Sequence, residues 1–331
     1  MELEIEHKLQ IRAKSLVMYQ KISRRRLHAL EKIASKNTGK SKIELFGKTA
    51  YSGTLTKGAI KRLSKCINLL VESAEKKKVY CKALGKKIDF KLSFITLTIP
   101  TADHIEAKTA HKLLLEPIIK YLRQNHGLKN YVWKVELQKR GQLHYHITSD
   151  CYVDHTELRN KWNVLLVKNG FMREYIESKN STNANSTDIH SVKKVRDLAA
   201  YLIKYFTKEY QNPIALNGKL WDCSLGLKKA KYYTTDLTQD LEYDISVCID
   251  KKKASIFLGE RFAIIKFKDI MPITLMPEEV KRSYYQNLIE IREFKRNLFS
   301  CPKKDKIDLE NDLIPIQTKS VPKQQQLYLF N

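Results

Sequence analysis

The stretch from Tyr131 to Ser149 constrains this chain most. Tyr131–Leu137 and Leu143–Ser149 are rich in β-branched and aromatic residues and flank Lys139-Arg140-Gly141. They read as two antiparallel strands joined by a short turn. A three-residue loop with Gly in its last, left-handed position is a common hairpin connection. That loop pairs Gln138 with Gln142, sets Glu136 opposite His144 and sets Lys134 opposite His146. Directly opposed residues share a face of the sheet. A two-residue loop would slip the register by one and turn Glu136 to the other side.

The neighbouring segments extend this hairpin into a domain. Leu92–Ile99 (LSFITLTI) is β-branched, ends at Pro100 and reads as a buried strand. Thr101 starts a helix to about His126, with Leu113, Leu114, Ile118 and Leu122 inward and Gly127 as its stop. A second helix carries Leu158, Trp162, Leu165 and Leu166 and ends at Gly170, and a polar Ser- and Asn-rich loop covers 177–187. A short strand at Asp188–His190 leads into a helix from about Val192 to Tyr210. Strands in hairpins mixed with separate helices indicate an α+β domain with a largely antiparallel sheet.

Outside this core the reading is coarser. Residues 1–89 form a basic region that reads as helical, with apolar positions between Ile11 and Ile33 beside Arg24, Arg25 and Arg26, and a second helix from Thr56 to about Lys77. The expected division is 1–89 for this region, 90–212 for the α+β domain, 213–300 for a C-terminal extension and 301–331 for a flexible tail. In the extension, Ile256–Lys268 suggests a hairpin about Gly259-Glu260, and Pro277–Phe299 a basic amphipathic helix.

Charge points to the partner. The 331 residues carry 61 Lys+Arg against 36 Asp+Glu, a formal net charge of +25. Such an excess favours a polyanion, nucleic acid first and an anionic membrane surface next. No apolar run approaches the ~20 residues of a membrane span. The opening MELEIEHKLQ lacks the apolar stretch of a cleavable leader, so a cytoplasmic setting is expected. The six cysteines form no C-x-x-C pair, which removes zinc-ribbon and thioredoxin-like readings. Phe46-Gly47-Lys48-Thr49 is not a phosphate loop, because the required upstream glycine position is Lys42.

Two chemical constellations remain. In Gln142-Leu143-His144-Tyr145-His146-Ile147 the period of two puts both imidazoles on one face. With Glu136 in register they supply two nitrogens and a carboxylate. Mg²⁺ or Mn²⁺ could complete its shell there with water and a phosphate oxygen. The plain alternative is a hydrogen-bonded histidine pair on a sheet. Asp188 and His190 lie close by in the chain order and are further candidates for DNA or metal contact. On the later helix, Tyr201 and Tyr205 stand four apart, with Lys204 between them and Lys208 following on the same side. A phenol needs help to attack at neutral pH, and a nearby ammonium favours the phenolate and can hold a phosphate. The plain alternative is a pair of tyrosines packed at a core edge.

The ordered set resembles the HUH endonucleases, above all the two-tyrosine rolling-circle replication initiators of small circular single-stranded DNA phages and plasmids. Phe94-Ile-Thr96-Leu-Thr98 is similar to their first strand motif. His144-Tyr-His146 with Glu136 is similar to their metal motif, and Tyr201, Lys204 and Tyr205 to their tyrosine helix. The resemblance covers about residues 90–210. It implies a five-stranded antiparallel sheet with flanking helices and metal-assisted nicking of one DNA strand. It also implies a 5′-phosphotyrosine intermediate, a free 3′ hydroxyl for a polymerase, and later rejoining. Without a phosphate loop, unwinding falls to a host helicase. The same chemistry in a relaxase or transposase, and a non-catalytic origin or single-strand binder with the same fold, are the alternatives.

Overall fold

The computed structural model describes residues 5–22, 55–100, 105–138, 141–191, 198–207, 216 and 218–294. In chain order the elements begin with strands β1 (Ile5–Arg12) and β2 (Ser15–Ile22), helix α1 (Lys57–Ser73), and strands β3 (Lys77–Cys81), β4 (Lys86–Phe90) and β5 (Ser93–Thr98). Helices α2 (Ala107–Ala110) and α3 (Glu116–His126) follow, joined through a π-helical turn at His111–Leu115. Next come β6 (Tyr131–Leu137), β7 (Leu143–Ser149), α4 (His155–Lys168), α5 (Arg173–Lys179), β8 (Thr187–Ser191) and α6 (Leu198–Thr207). The chain continues through β9 (Trp221–Cys223), α7 (Leu225–Lys229), β10 (Thr234–Asp236), α8 (Gln239–Asp250), β11 (Ala254–Leu258), β12 (Phe262–Phe267) and α9 (Glu278–Arg292).

The central five-stranded sheet has the order β8-β5-β7-β6-β9, with every pairing antiparallel. This is the α+β architecture expected, with a five-stranded antiparallel sheet flanked by helices. Its back face carries Ile95, Leu97, Trp133, Val135, Tyr145 and Ile147, packed against Leu114, Ile118, Leu122, Leu158, Trp162 and Leu166 of the helices behind. Trp162 also donates its indole N–H to the Thr98 carbonyl at 3.0 Å, which ties α4 to β5. Local signals define these helices. Asp154 caps α4 by accepting from the Thr156 and Glu157 amides, and Gly127, at φ 64°, ends α3.

The front face is divided in two. Over one half, α1 and α6 bury Leu63, Ile67, Leu70, Leu202 and Phe206 against Phe94, Val132 and Cys223. Each such side chain contributes about 1.5–3 kcal/mol on burial. Thr56 starts α1 by accepting from the Ala59 amide at 3.1 Å. The other half of the face holds the polar residues described below.

The N-terminus departs from the helical expectation. Residues 5–22 form a hairpin whose Leu9, Ile11, Leu16 and Met18 alternate into a separate core with α8 and Tyr284. These strands sit inside a second sheet of order β10-β1-β2-β12-β11. Their outer partners come from residues 234–236 and 254–267, so regions at opposite ends of the sequence share one sheet. The hairpin expected around Gly259-Glu260 and the helix after Pro277 are β11–β12 and α9. Part of the loop expected at 177–187 is instead helical, since α5 extends to Lys179.

Candidate active site

The hairpin register places Glu136 opposite His144 and Lys134 opposite His146, as the three-residue loop requires. Gly141 adopts φ 82°, and the Gln138 amide donates to the Gln142 carbonyl at 2.8 Å. The central strand β7 lies between β6 and β5, so its histidines are lined on both sides. On the β5 side, Thr98 faces His144 and Thr96 faces His146. Thr98 Oγ1 is 2.9 Å from His144 Nδ1, Thr96 Oγ1 is 3.4 Å from His146 Nδ1, and Gln138 Nε2 also reaches His144 Nδ1 at 2.9 Å. On the β6 side, Glu136 Oε1 is 2.7 Å from His146 Nε2.

One ligand atom from each of Glu136, His144 and His146 lies within 4.8 Å of the others. Two imidazole nitrogens and a carboxylate oxygen fit a divalent cation and leave coordination positions open. The threonine and glutamine contacts occupy the Nδ1 atoms, the arrangement that orients a ligating imidazole and leaves its other nitrogen for the metal. The environment keeps His144 neutral. Burial, reinforced by the neighbouring His146 and opposed by Glu136, pushes its pKa down to about 4. A neutral imidazole is the ligand form. Lys134 is buried, with Nζ 3.5 Å from Glu136 Oε2. Desolvation holds its ammonium below the ordinary lysine range, against the pull of Glu136.

Helix α6 brings tyrosine to this cluster. Leu202 and Phe206 lock one side of the helix into the front core, which turns Tyr205 toward β7. The Tyr205 hydroxyl is 3.3 Å from His146 Nε2. Its ring meets His146 edge-on at 4.8 Å and Phe94 at 4.9 Å. Tyr201 lies one turn earlier, 6.5 Å from Tyr205 ring to ring, and is 43% exposed. Lys204 is exposed. Lys208, Arg24, Arg25 and Arg26 lie outside the described residues. In β8, Asp188 and His190 pair at 3.3 Å and stay largely exposed, His190 stacking on Phe94.

Sequence reasoning named Glu136, His144, His146, Tyr201, Lys204 and Tyr205, and it passed over the roles of Lys134, Gln138, Thr96 and Thr98. The signal was present. Lys134, Glu136 and Gln138 alternate on one strand face, and the threonines alternate likewise on β5.

The sheet with its flanking helices is consistent with an HUH-like fold. Residues 92–210 match the model of a family described as replication-associated protein ORF2. This match supports a replication-initiator family, a role in starting DNA replication and interaction with DNA. It spans β5 to α6 and so includes every residue of the cluster and the tyrosine helix. No curated protein and no solved structure gives a match. Among the described residues, no helix is long and apolar enough to cross a membrane.

Proposed function

We propose that the chain starts rolling-circle replication by nicking and rejoining single-stranded DNA through a phosphotyrosine intermediate. One observation carries this reading. The Tyr205 hydroxyl stands 3.3 Å from the imidazole of His146, inside the only described group of three potential metal ligands. A site that aims a nucleophile and a cation at one point is suited to phosphodiester transfer.

Tyr205 is the first nucleophile. Its oxygen attacks the scissile phosphorus after giving up the phenolic proton, and the 3′ oxygen leaves and takes a proton. The products are a 5′-phosphotyrosine and a 3′ hydroxyl that a host polymerase extends. Glu136, His144 and His146 hold Mg²⁺ or Mn²⁺, which when bound polarises the phosphate. Thr96, Thr98 and Gln138 fix the imidazoles. Lys204 offers a cation to a phosphate oxygen beside the phenol. Tyr201, one turn away and open to solvent, takes the second transfer, when the 3′ end returns and the circle closes. Unwinding is left to a host helicase, in a bacterial cytoplasm.

The test is covalent capture. Protein is mixed with its own replicon as single-stranded DNA and Mn²⁺, denatured in SDS, and resolved for protein that migrates with DNA. Wild type should give the adduct. Tyr205→Phe should lose it on a first-cleavage substrate, Tyr201→Phe should keep it, and His144→Ala should lose it. No adduct from wild type on DNA that it binds would leave a non-catalytic origin binder.

A further inference from the structure

Strands β3 and β4 belong to neither five-stranded sheet and, among the described residues, pair only with each other. The ribbon has two unlike faces. By register Val79, Cys81, Ile88 and Phe90 share the inner one. This face rests on the segment after β7, where Phe90 meets Tyr152 edge-on at 5.6 Å and Tyr152 hydrogen-bonds the Cys81 sulfur. Lys77 Nζ anchors the base by donating to the Asp150 carbonyl at 3.1 Å. Lys78, Tyr80, Lys87 and Asp89 share the outer face, and Lys82–Lys86 form the tip.

The charge on this ribbon is one-sided. Between Lys76 and Lys91 there are seven lysines and a single acid, Asp89, which Lys78 pairs at 3.0 Å. Lys77 is used at the base, and Lys91 is half-buried. Lys82, Lys86 and Lys87 are exposed and form no ion pair with a described residue. Beside them Tyr80 and Leu84 are 57% and 59% exposed. Clustered ammonium groups repel one another and stabilise nothing within the fold, so an external anion is what they suit. A two-stranded ribbon has the width that the major groove of B-DNA admits.

We propose that β3–β4 is a duplex-DNA arm, with Lys82, Lys86 and Lys87 on phosphates and Tyr80 and Leu84 against the groove wall. It rests on the proposed function only in taking DNA as the polyanion, and it is separate from the tyrosine site. The ribbon runs into β5 at Phe90. Phe94, the packing partner of Tyr205, lies four residues further on, roughly 13 Å along the strand. That is about four base pairs of duplex rise. The arm therefore holds the double-stranded part of an origin close to where its single strand is cut.

The test measures binding without chemistry. Full-length wild type and the triple variant Lys82→Gln/Lys86→Gln/Lys87→Gln are titrated by fluorescence anisotropy against a 20-base-pair DNA duplex and one of its strands, from 50 to 200 mM salt. Three lost phosphate contacts should lower the duplex salt slope by about 2.7, a difference of about 40-fold across that range. The single strand should change far less. A gain-of-charge variant, Ala83→Lys, should raise the duplex slope by about 0.9. An unchanged duplex slope in both variants overturns the proposal, as does a loss confined to the single strand. Covalent capture on a short single-stranded substrate should be unaffected by the triple variant. A failure of the nicking reading therefore appears in that assay and leaves the binding result standing.

Discussion

The strongest electrostatic consequence of the site concerns His144 in the metal-free protein. Its pKa is pushed down to about 4, from the ordinary histidine value near 6.5. The native ring stays neutral between those values while the unfolded chain takes up a proton. Stability is therefore intact above pH 6.5, is lost as pH falls through that window, and levels off below pH 4. The full linkage is worth about 2.5 kcal/mol by pH 4.5. The ring is only half-buried, so solvent screening trims this to about 1–2 kcal/mol. The assay is urea unfolding in EDTA at pH 7.5 and 4.5, comparing wild type with His144→Asn. Asparagine keeps a polar partner for Thr98 and Gln138 without a titrating group. Wild type should lose about 1–2 kcal/mol more than the variant between the two pH values. Glu72, raised to about 7 by burial, and His111, lowered to about 4 by burial, titrate in both proteins and cancel in the comparison. Equal losses, or a larger loss in the variant, would refute the claim that the site holds this imidazole neutral.

Three further outcomes follow from the same geometry. Thr98→Val removes the hydroxyl at His144 Nδ1, and because Gln138 shares that contact, Mn²⁺ binding followed by electron paramagnetic resonance should weaken by about tenfold; unchanged affinity would remove Thr98 from the positioning role. Lys134→Met leaves Glu136 without its buried cation and should lower the metal-free Tm, and saturating Mn²⁺ should recover more Tm in the variant than in wild type; equal recovery would count against coupling between Lys134 and the cluster. Glu72 accepts from the Ala13 amide at 3.0 Å where the N-terminal hairpin meets α1, and its carboxyl is held protonated by burial. That stability is present below pH 4.5 and is lost as pH rises through about 7, so Glu72→Gln should be about 2 kcal/mol more stable than wild type at pH 8 and equal at pH 4 in urea melts.

The metal cluster was legible because its logic is local. Strand alternation puts His144 beside His146 whatever surrounds them, and a three-residue turn ending in Gly141 sets the register that brings in Glu136. The helix after Val192 was legible as a period, and so was the pairing of Tyr201 with Tyr205. The choice between the tyrosines was not. It depends on how far α6 is rotated about its axis, and that rotation is fixed by the seating of Leu202 and Phe206 against α1, more than a hundred residues earlier. The supporting contacts at Thr96 and Thr98 depend likewise on β5 pairing with β7 across roughly fifty residues.

What the sequence by itself determined, then, is the central α+β domain, the face shared by Glu136, His144 and His146, and the tyrosine helix, all set by periodicity and turn chemistry over a few residues. What only the tertiary structure decided is which groups from distant segments meet. The N-terminal residues 5–22 carry a period of two, but among many lysines and arginines that signal is weak, and a strand is held by hydrogen bonds to partners rather than within itself. Those partners, β10 and β12, lie more than two hundred residues further along the chain. Tyr205 reaches His146 for the same reason, since burial of the surrounding side chains, and not spacing along the chain, sets the distance between them.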